Sequence, residues 1–401
     1  MSKNLPSGHF LVLCVGAAFL FTAFFMAGTL APLYAAFIAA PPALIGIVVS
    51  AMFVLPLGLA IPVGTLTDRI SPRIMLVVGL IVIASAPIAL ALRPSLTTLL
   101  LMQVLVGLGQ LAAVLGAQKS VTRFRAGRSR EAAFGWYSAF VSLGQMLGPI
   151  VAGSLVDFRG FQTAFVATAA VAVGGAVAFA LLRLPPAESQ DSFESKPRER
   201  RRPGTALVRL LGLESVQVSL VVSATVMIVM VAHNSFLPAF LEGFAVPATV
   251  IGAVVSARSL AAAIVRTFIS QIVRSLGGRM TTFVVMLSLA GAGVAGIGLG
   301  PSLVAQLTAA LLLGIAVGVA QPLTMVTMVD DVAVDQQGFA LGVRITANRL
   351  AQFLSPLMLG AIAQWVGYSL TFVVAGALIA AMAWVAWVLG ARRRIIATPP
   401  E

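Results

Sequence analysis

Three side chains with charge or proton-exchange chemistry sit in almost entirely apolar surroundings in this sequence: His233, Arg258 and Arg266. An imidazole titrates near neutral pH. A guanidinium stays charged and presents five N–H donors that suit a carboxylate or phosphate. A charge inside a bilayer-spanning helix costs roughly 2.5 to 3.5 kcal/mol on insertion scales, so it normally faces a cavity or a partner. Arg258 and Arg266 are eight residues apart, about 12 Å along a helix and about 80° around it. One can face a central cavity while the other turns toward an inner vestibule. A carboxylate or phosphate on a substrate is the simplest neutralising group for them. Backbone carbonyls at a broken helix and a loop acid are the competing partners. Asn234, Gln103, Gln110, Gln306, Gln321 and Thr324 are further candidates to line such a cavity, and Phe21, Phe24, Phe25 and Tyr34 suit a partly apolar ligand.

The elements that hold these groups follow from hydropathy. With 59% hydrophobic and 10% charged residues and a mean hydropathy of +1.03 over 401 residues, the chain is an integral membrane protein. Charges fall in short clusters separated by apolar runs of about 20 residues, long enough to cross ~30 Å of hydrocarbon as helices. The pattern predicts an all-α membrane protein of twelve spans, near 10–37, 43–65, 74–92, 97–119, 133–156, 161–183, 207–240, 247–272, 281–299, 302–327, 338–364 and 368–390. The first run is too long, and too poor in small-residue cleavage signals, to be a removable leader. It is expected to stay as a span.

With the N-terminus in the cytoplasm, inside segments collect 22 Lys and Arg residues and outside loops only Arg93 and Arg159. The positive-inside rule then puts both termini in the cytoplasm. The net charge of +13 therefore serves topology and lipid headgroups rather than nucleic acid. The lone Cys14 and the absence of a Cys/His cluster exclude disulfides and a structural metal site. No cofactor is expected, and the chain is expected to act as a monomer.

A polar stretch of Pro, Glu, Ser, Lys and Arg divides the sequence into residues 1–184, a linker at 185–206, and residues 207–401. The two flanking parts repeat each other. Ala43–Ala51 and Thr249–Ala257 share six of nine residues at an offset of 206, which also superimposes Pro32 on Pro238 and Arg73 on Arg279. An offset of 207 places Gly144–Gly153 on Ala351–Gly360, with Pro149 over Pro356. Two parallel six-helix repeats imply a pseudo-twofold axis along the membrane normal and a site between the halves. The offsets also place Arg258 on Met52 and Arg266 on Ala60.

Between the second and third spans stands Gly64-x-Leu66-x-Asp68-Arg69-x-x-x-Arg73. This resembles the loop signature of the major facilitator superfamily of secondary transporters. The resemblance implies two pseudo-symmetric six-helix bundles and alternating access, with no covalent chemistry. It also implies that Asp68 meets the cytoplasmic start of the eleventh helix, with Arg123 as a second partner, and so latches the inner gate. A carboxylate near a helix N-terminus is favoured by the free amides and the dipole. The second repeat carries Arg274 in place of this acid, so the latch is expected to be asymmetric. Asp330, Asp331 and Asp335 are the acids there that could balance Arg274, Arg344 or Arg349.

Gly144-x-x-x-Gly148-Pro149-x-x-x-Gly153 in the fifth span is similar to a signature of drug and proton antiporters in the same superfamily. Its small residues permit close helix packing, and the resemblance implies export. Two departures stand out. Gln103 occupies the place where such antiporters carry an arginine, and the central parts of spans 1, 4, 7 and 10 hold no Asp or Glu. His233 is then the remaining candidate to couple transport to an ion gradient, the proton gradient in that group. The expected protein is a bacterial-type inner-membrane exporter of an amphipathic, anionic solute. An uptake carrier or uniporter, or a non-transporting sensor docking partners through the basic linker, are the alternatives; no nucleophile, phosphate loop or metal constellation suggests an enzyme.

Overall fold

The computed structural model describes residues 8–66, 70–124, 130–184, 203–333 and 336–396. Among them every regular element is helical, as apolar segments without water to satisfy their backbone require. Helices α1 (Gly8–Phe37), α2 (Pro42–Leu66), α3 (Pro72–Leu92) and α4 (Leu96–Arg123) come first, then α5 (Arg130–Ala180). Local chemistry sets their ends. Pro72 opens α3, and α4 begins in a capping box in which Ser95 and Thr98 satisfy each other's backbone amides.

After the linker come α6 (Pro203–Leu211), α7 (Glu214–Val231), a π-turn at Ala232–Phe236 and α8 (Leu237–Glu242). Next are α9 (Ala248–Val265), a 3₁₀ turn at Arg266–Phe268 and α10 (Ile269–Ser275), then α11 (Arg279–Ile297), α12 (Leu303–Asp330) and α13 (Gln337–Ile396). The seventh span therefore starts at Glu214 rather than 207. Residues 207–211 belong to the separate short helix α6, cut off because the chain turns at Gly212 and Leu213 before restarting on an acidic first turn.

Among the described residues, ten helices are long and apolar enough to cross a membrane. Two of them, α5 at 51 residues and α13 at 60, are far longer than one crossing needs. Each is broken once, at Gly160 (φ 79°, ψ 171°) and at Gly367 (φ 76°, ψ 166°), in backbone conformations that L side chains avoid. The two glycines are themselves 207 residues apart. They add another point to the internal repeat. So do α4 and α12, both 28 residues long, whose first and last residues are also 207 apart.

Contacts group the chain into two compact units: residues 1–190, 234–259 and 356–361 in one, and 191–233, 260–355 and 362–401 in the other. Within the first, α1 packs on α5 through glycines. A Cβ added to Gly144 would meet the Ala18 carbonyl oxygen at 2.7 Å, and one on Gly148 would meet Phe25 Cβ at 2.7 Å. Within the second, α7, α12 and the start of α13 share an apolar cluster of Val216, Met328, Val332 and Ala340, with Leu220 and Leu341 against it.

Candidate functional site

Arg258 is the largest fully buried side chain among the described residues, at 2% exposure. Helix α9 places it among apolar neighbours in sequence, and its Nη2 donates to the Ser259 hydroxyl at 3.1 Å. Its counterpart Met52 in α2 is buried too, at 5%. The helix backbone is thus reused, and the second repeat has put a cation where the first keeps an apolar side chain. Arg266 differs in setting: it opens the 3₁₀ turn that interrupts the eighth span and is only partly buried.

His233 has no exposed surface and lies with Asn234 in the π-turn Ala232–Phe236, immediately before α8 and its Pro238. A π-turn inserts one residue into the helical ladder and often marks a functional position. Here proline at the start of α8 removes an amide donor, which accounts for the local loosening. Gln103 is 1% exposed, with its Oε1 buried and without a hydrogen-bond partner among the described residues. One turn later Gly107 rests directly on the Met52 carbonyl. The Gln103 side of α4 therefore packs toward α2. Gln110, at 8% exposure, continues along α4. Phe24 meets Phe25 edge to face, while Tyr34 lies in an aromatic cluster with Phe37, Phe161 and Phe165. That cluster occupies the Tyr34 ring. Gln306 is drawn to structure as well, donating to the Ile297 and Gly300 carbonyls at 3.0 and 2.7 Å and so tying down the turn between α11 and α12.

Asp68 and Arg69 lie outside the described residues, and Gly64 falls in the last turns of α2. Arg73 donates to the Ala180 carbonyl at the end of α5, where unsatisfied carbonyls attract a cation. Arg123 occupies the last turn of α4. In the second repeat Arg279 pairs with Asp330, so Asp330 is not available to Arg344 or Arg349. Asp331 is next in the chain. Arg344 and Arg349 both lie within α13, inside the eleventh span expected at 338–364, about 10 and 18 Å along the axis from Gln337 at 1.5 Å per residue. Arg344 is buried to 5% and bonds to Thr324 and the Gln321 carbonyl, whereas Arg349 bonds to Gln352 at 3.2 Å. The candidate arginines on spanning segments are therefore four rather than two.

Two helix crossings in the first unit use equivalent residues. Gly46 of α2 presses on the Pro356 carbonyl and Gly360 of α13; Gly252 of α9 presses on the Pro149 carbonyl of α5, while Gly153 rests on the Ala248 carbonyl. A Cβ would come within 2.4 Å of the Pro356 oxygen at Gly46 and 2.2 Å of the Pro149 oxygen at Gly252. Beside the second crossing, both Asp157 carboxylate oxygens cap α9, accepting from Ala248 N at 2.9 Å and Thr249 N at 2.7 Å. The Ser256 hydroxyl donates to the Met146 carbonyl at 2.6 Å. Asp157 is a site residue that hydropathy could not single out, because it stands at a span end where an acid is unremarkable.

Comparison with known proteins points to a membrane transporter family rather than an enzyme. The family model of the Major Facilitator Superfamily matches residues 13–356, with an overlapping match at 219–400. The chain belongs to the major facilitator superfamily. A probable vesicular acetylcholine transporter-A from Danio rerio is 28% identical over 168 residues, 42% of this chain and 31% of that protein. The matched region thus spans about a third of that relative's length. A bacterial homologue of the human lysosomal transporter Spinster, in an inward-facing and occupied conformation, has a TM-score of 0.76 at 16% identity, covering 95% of this chain and 97% of its own. The nucleoside transporter NupG, as a point mutant, has a TM-score of 0.78 at 14% identity, covering 95% of this chain and 100% of its own. At such identities these structures speak for the fold alone.

Proposed function

We propose that this transporter exports a small, amphipathic, anionic organic solute by alternating access across a bacterial-type inner membrane, driven by an ion gradient. The observation that carries the anionic preference is Arg258: a guanidinium held at 2% exposure on a spanning helix, beside a hydroxyl, where the equivalent residue of the first repeat is methionine. Burying a charge costs several kcal/mol even after relaxation. That this cost falls in one repeat only supports a ligand role for Arg258. The names of the similar proteins mention acetylcholine in one case and nucleosides in another, so they set no cargo for this chain.

Export is supported by the Gly144–Gly153 motif, whose glycines let α5 lie against α1 and α9 at backbone distance. In this reading the crossings at Gly46 and Gly252 close the outer side, and the loop from Gly64 to Arg73 closes the inner side. Asp68 and Arg123 form the first repeat's half of that inner latch. His233, fully buried in its π-turn, is the coupling group, since an imidazole can take and release a proton near neutral pH.

Everted membrane vesicles test the reading. With an imposed gradient they should accumulate a labelled anionic solute but not its neutral analogue, and Arg258→Gln should remove the difference. Accumulation in right-side-out vesicles instead would establish an uptake carrier. Equal loss of anionic and neutral solutes in Arg258→Gln would assign that residue to folding.

A further inference from the structure

Arg344 has a chemical setting that neither packing nor the inner latch explains. It is 5% exposed, and its Nη2 donates to Thr324 Oγ1 at 2.9 Å and to the Gln321 carbonyl at 3.3 Å. Thr324 is itself wholly buried and donates onward to the Gln321 carbonyl at 2.7 Å, which fixes its hydroxyl as an acceptor toward the arginine. Nε of Arg344 is buried with no partner among the described residues. Among the described residues, two neutral acceptors orient the guanidinium and no carboxylate is paired with it.

The neighbouring helix turns add hydroxyls and an amide. Asn348, one turn beyond Arg344 on α13, accepts a hydrogen bond from Ser223 of α7. The same apolar cluster holds Val216 and Leu220 of α7 and Ala340 and Leu341 of α13, and both helices run on from it to the Ser223–Asn348 bond, so they run in the same direction. Ser219, one turn before Ser223, then falls at the height of Arg344. Its hydroxyl is fully buried without a partner among the described residues, and so is the hydroxyl of Thr327, one turn after Thr324 on α12. A serine in a helix ordinarily bonds back to a carbonyl one turn earlier. The apolar cluster closes this space on the side toward the helix ends at Glu214, Asp330 and Gln337.

We propose that Arg344, with Ser219, Ser223, Thr324, Thr327 and Asn348, forms an oxyanion-binding subsite that receives a carboxylate or phosphate group of the transported solute. The subsite lies wholly within the second compact unit. It rests on the reading that the cargo is anionic and extends it by naming a cation of the second unit that receives the anionic group. A charged oxyanion completes the missing interaction of Nε and supplies an acceptor for the open hydroxyls of Ser219 and Thr327, while Ser223 and Thr324, whose protons go to Asn348 and the Gln321 carbonyl, hold Asn348 and Arg344 in place; charge-assisted bonds of this kind are about twice as strong as neutral ones. The sequence-equivalent of Arg344 in the first repeat is Tyr137, and that of Asn348 is Val141. The subsite therefore belongs to the second repeat alone.

The test is thermal stabilisation of the purified full-length protein in detergent by inorganic phosphate or succinate, each against chloride at equal ionic strength. At least one probe should raise the melting temperature of the wild type, saturably. Arg344→Gln should weaken that apparent affinity about tenfold or more, a change worth ~1.4 kcal/mol. The double variant Ser219→Ala, Asn348→Leu leaves Arg344 and its two bonds in place, and should weaken it by a smaller factor. It keeps the test open should Arg344→Gln not fold. Arg258→Gln separates the two readings. Loss of transport selectivity with the phosphate or succinate shift retained supports both sites. Loss of the shift in Arg258→Gln but not in Arg344→Gln overturns the subsite and leaves the anionic cargo standing. No shift in the wild type with either probe, or an unchanged shift in Arg344→Gln and the double variant, also overturns the subsite.

Discussion

Met52 and Arg258 occupy one place in the two repeats, Tyr137 and Arg344 another, and Arg123 and Asp330 a third. At the first two, the first repeat keeps an apolar or neutral residue and the second installs a buried cation. At the third, a cation at the end of α4 becomes an acid at the end of α12, while the loop acid Asp68 becomes Arg274. The signs of the loop and the helix end are exchanged together. Each repeat thus carries opposite charges at these two places in the sequence. In the structure Asp330 pairs with Arg279, the counterpart of Arg73, whereas Arg73 itself reaches the carbonyl of Ala180. Glycine-mediated helix packing is thus common to both repeats, while the buried cations at these places belong to the second.

The shared part should be the most fragile. Gly252→Leu drives a side chain into the Pro149 carbonyl, and Gly46→Leu into that of Pro356. Neither backbone atom can move aside cheaply, so each variant should lose well over the usual overpacking cost of about 1–3 kcal/mol, read as loss of the monodisperse peak in fluorescence-detected gel filtration. Tolerance of one substitution and not the other would end the equivalence of the crossings. The chemical part comes next. Arg258→Gln should reduce transport of the anionic cargo about thirtyfold or more, as removal of one member of a buried charged pair costs about 2–5 kcal/mol, whereas Met52→Leu should change flux less than about threefold. Equal effects from the two would deny the second repeat its special role.

Smaller effects refine the contrast. His233→Gln should leave counterflow exchange of cargo in place while removing the response of net transport to an imposed pH gradient. Persistence of that response would exclude His233 as the coupling group. At the foot of the scale, Arg279→Ala or Asp330→Asn breaks an ion pair whose side chains are 43% and 40% exposed. Exposed pairs of this kind are worth ~0–1 kcal/mol, so the melting temperature should move by only about a degree or two. A larger drop would show that the pair bears a structural role beyond that of an exposed contact.

Much of the fold is legible in the order of residues because span length and apolarity are imposed by the bilayer on each helix separately. The repeat is visible for the same reason: Gly46, Gly252, Pro149 and Pro356 recur where backbones must approach, and a side chain added at either glycine would collide with a carbonyl. Gly160 and Gly367 can be seen as loop residues, yet not as the breaks in two otherwise continuous helices, since nothing local forbids a helix on either side. Gln336, Gln337, Arg344, Thr346 and Arg349 make the start of the eleventh span look like polar chain. At Arg344 that polarity instead meets a neighbouring helix, through Thr324 and the Gln321 carbonyl.

Composition and period were enough to establish a helical membrane protein built of two related halves, and to mark Arg258 as a charge in an apolar stretch. Those properties follow from the solvent each segment must face. Tertiary structure alone decided which polar residues meet: Asp157 on the start of α9, Asp330 on Arg279, and Arg344 on Thr324 with Ser219 left open at its height. Such pairings depend on the rotation and depth of one helix against another. Sums of many weak side-chain contacts over distant segments fix both, and no short window of residues contains them.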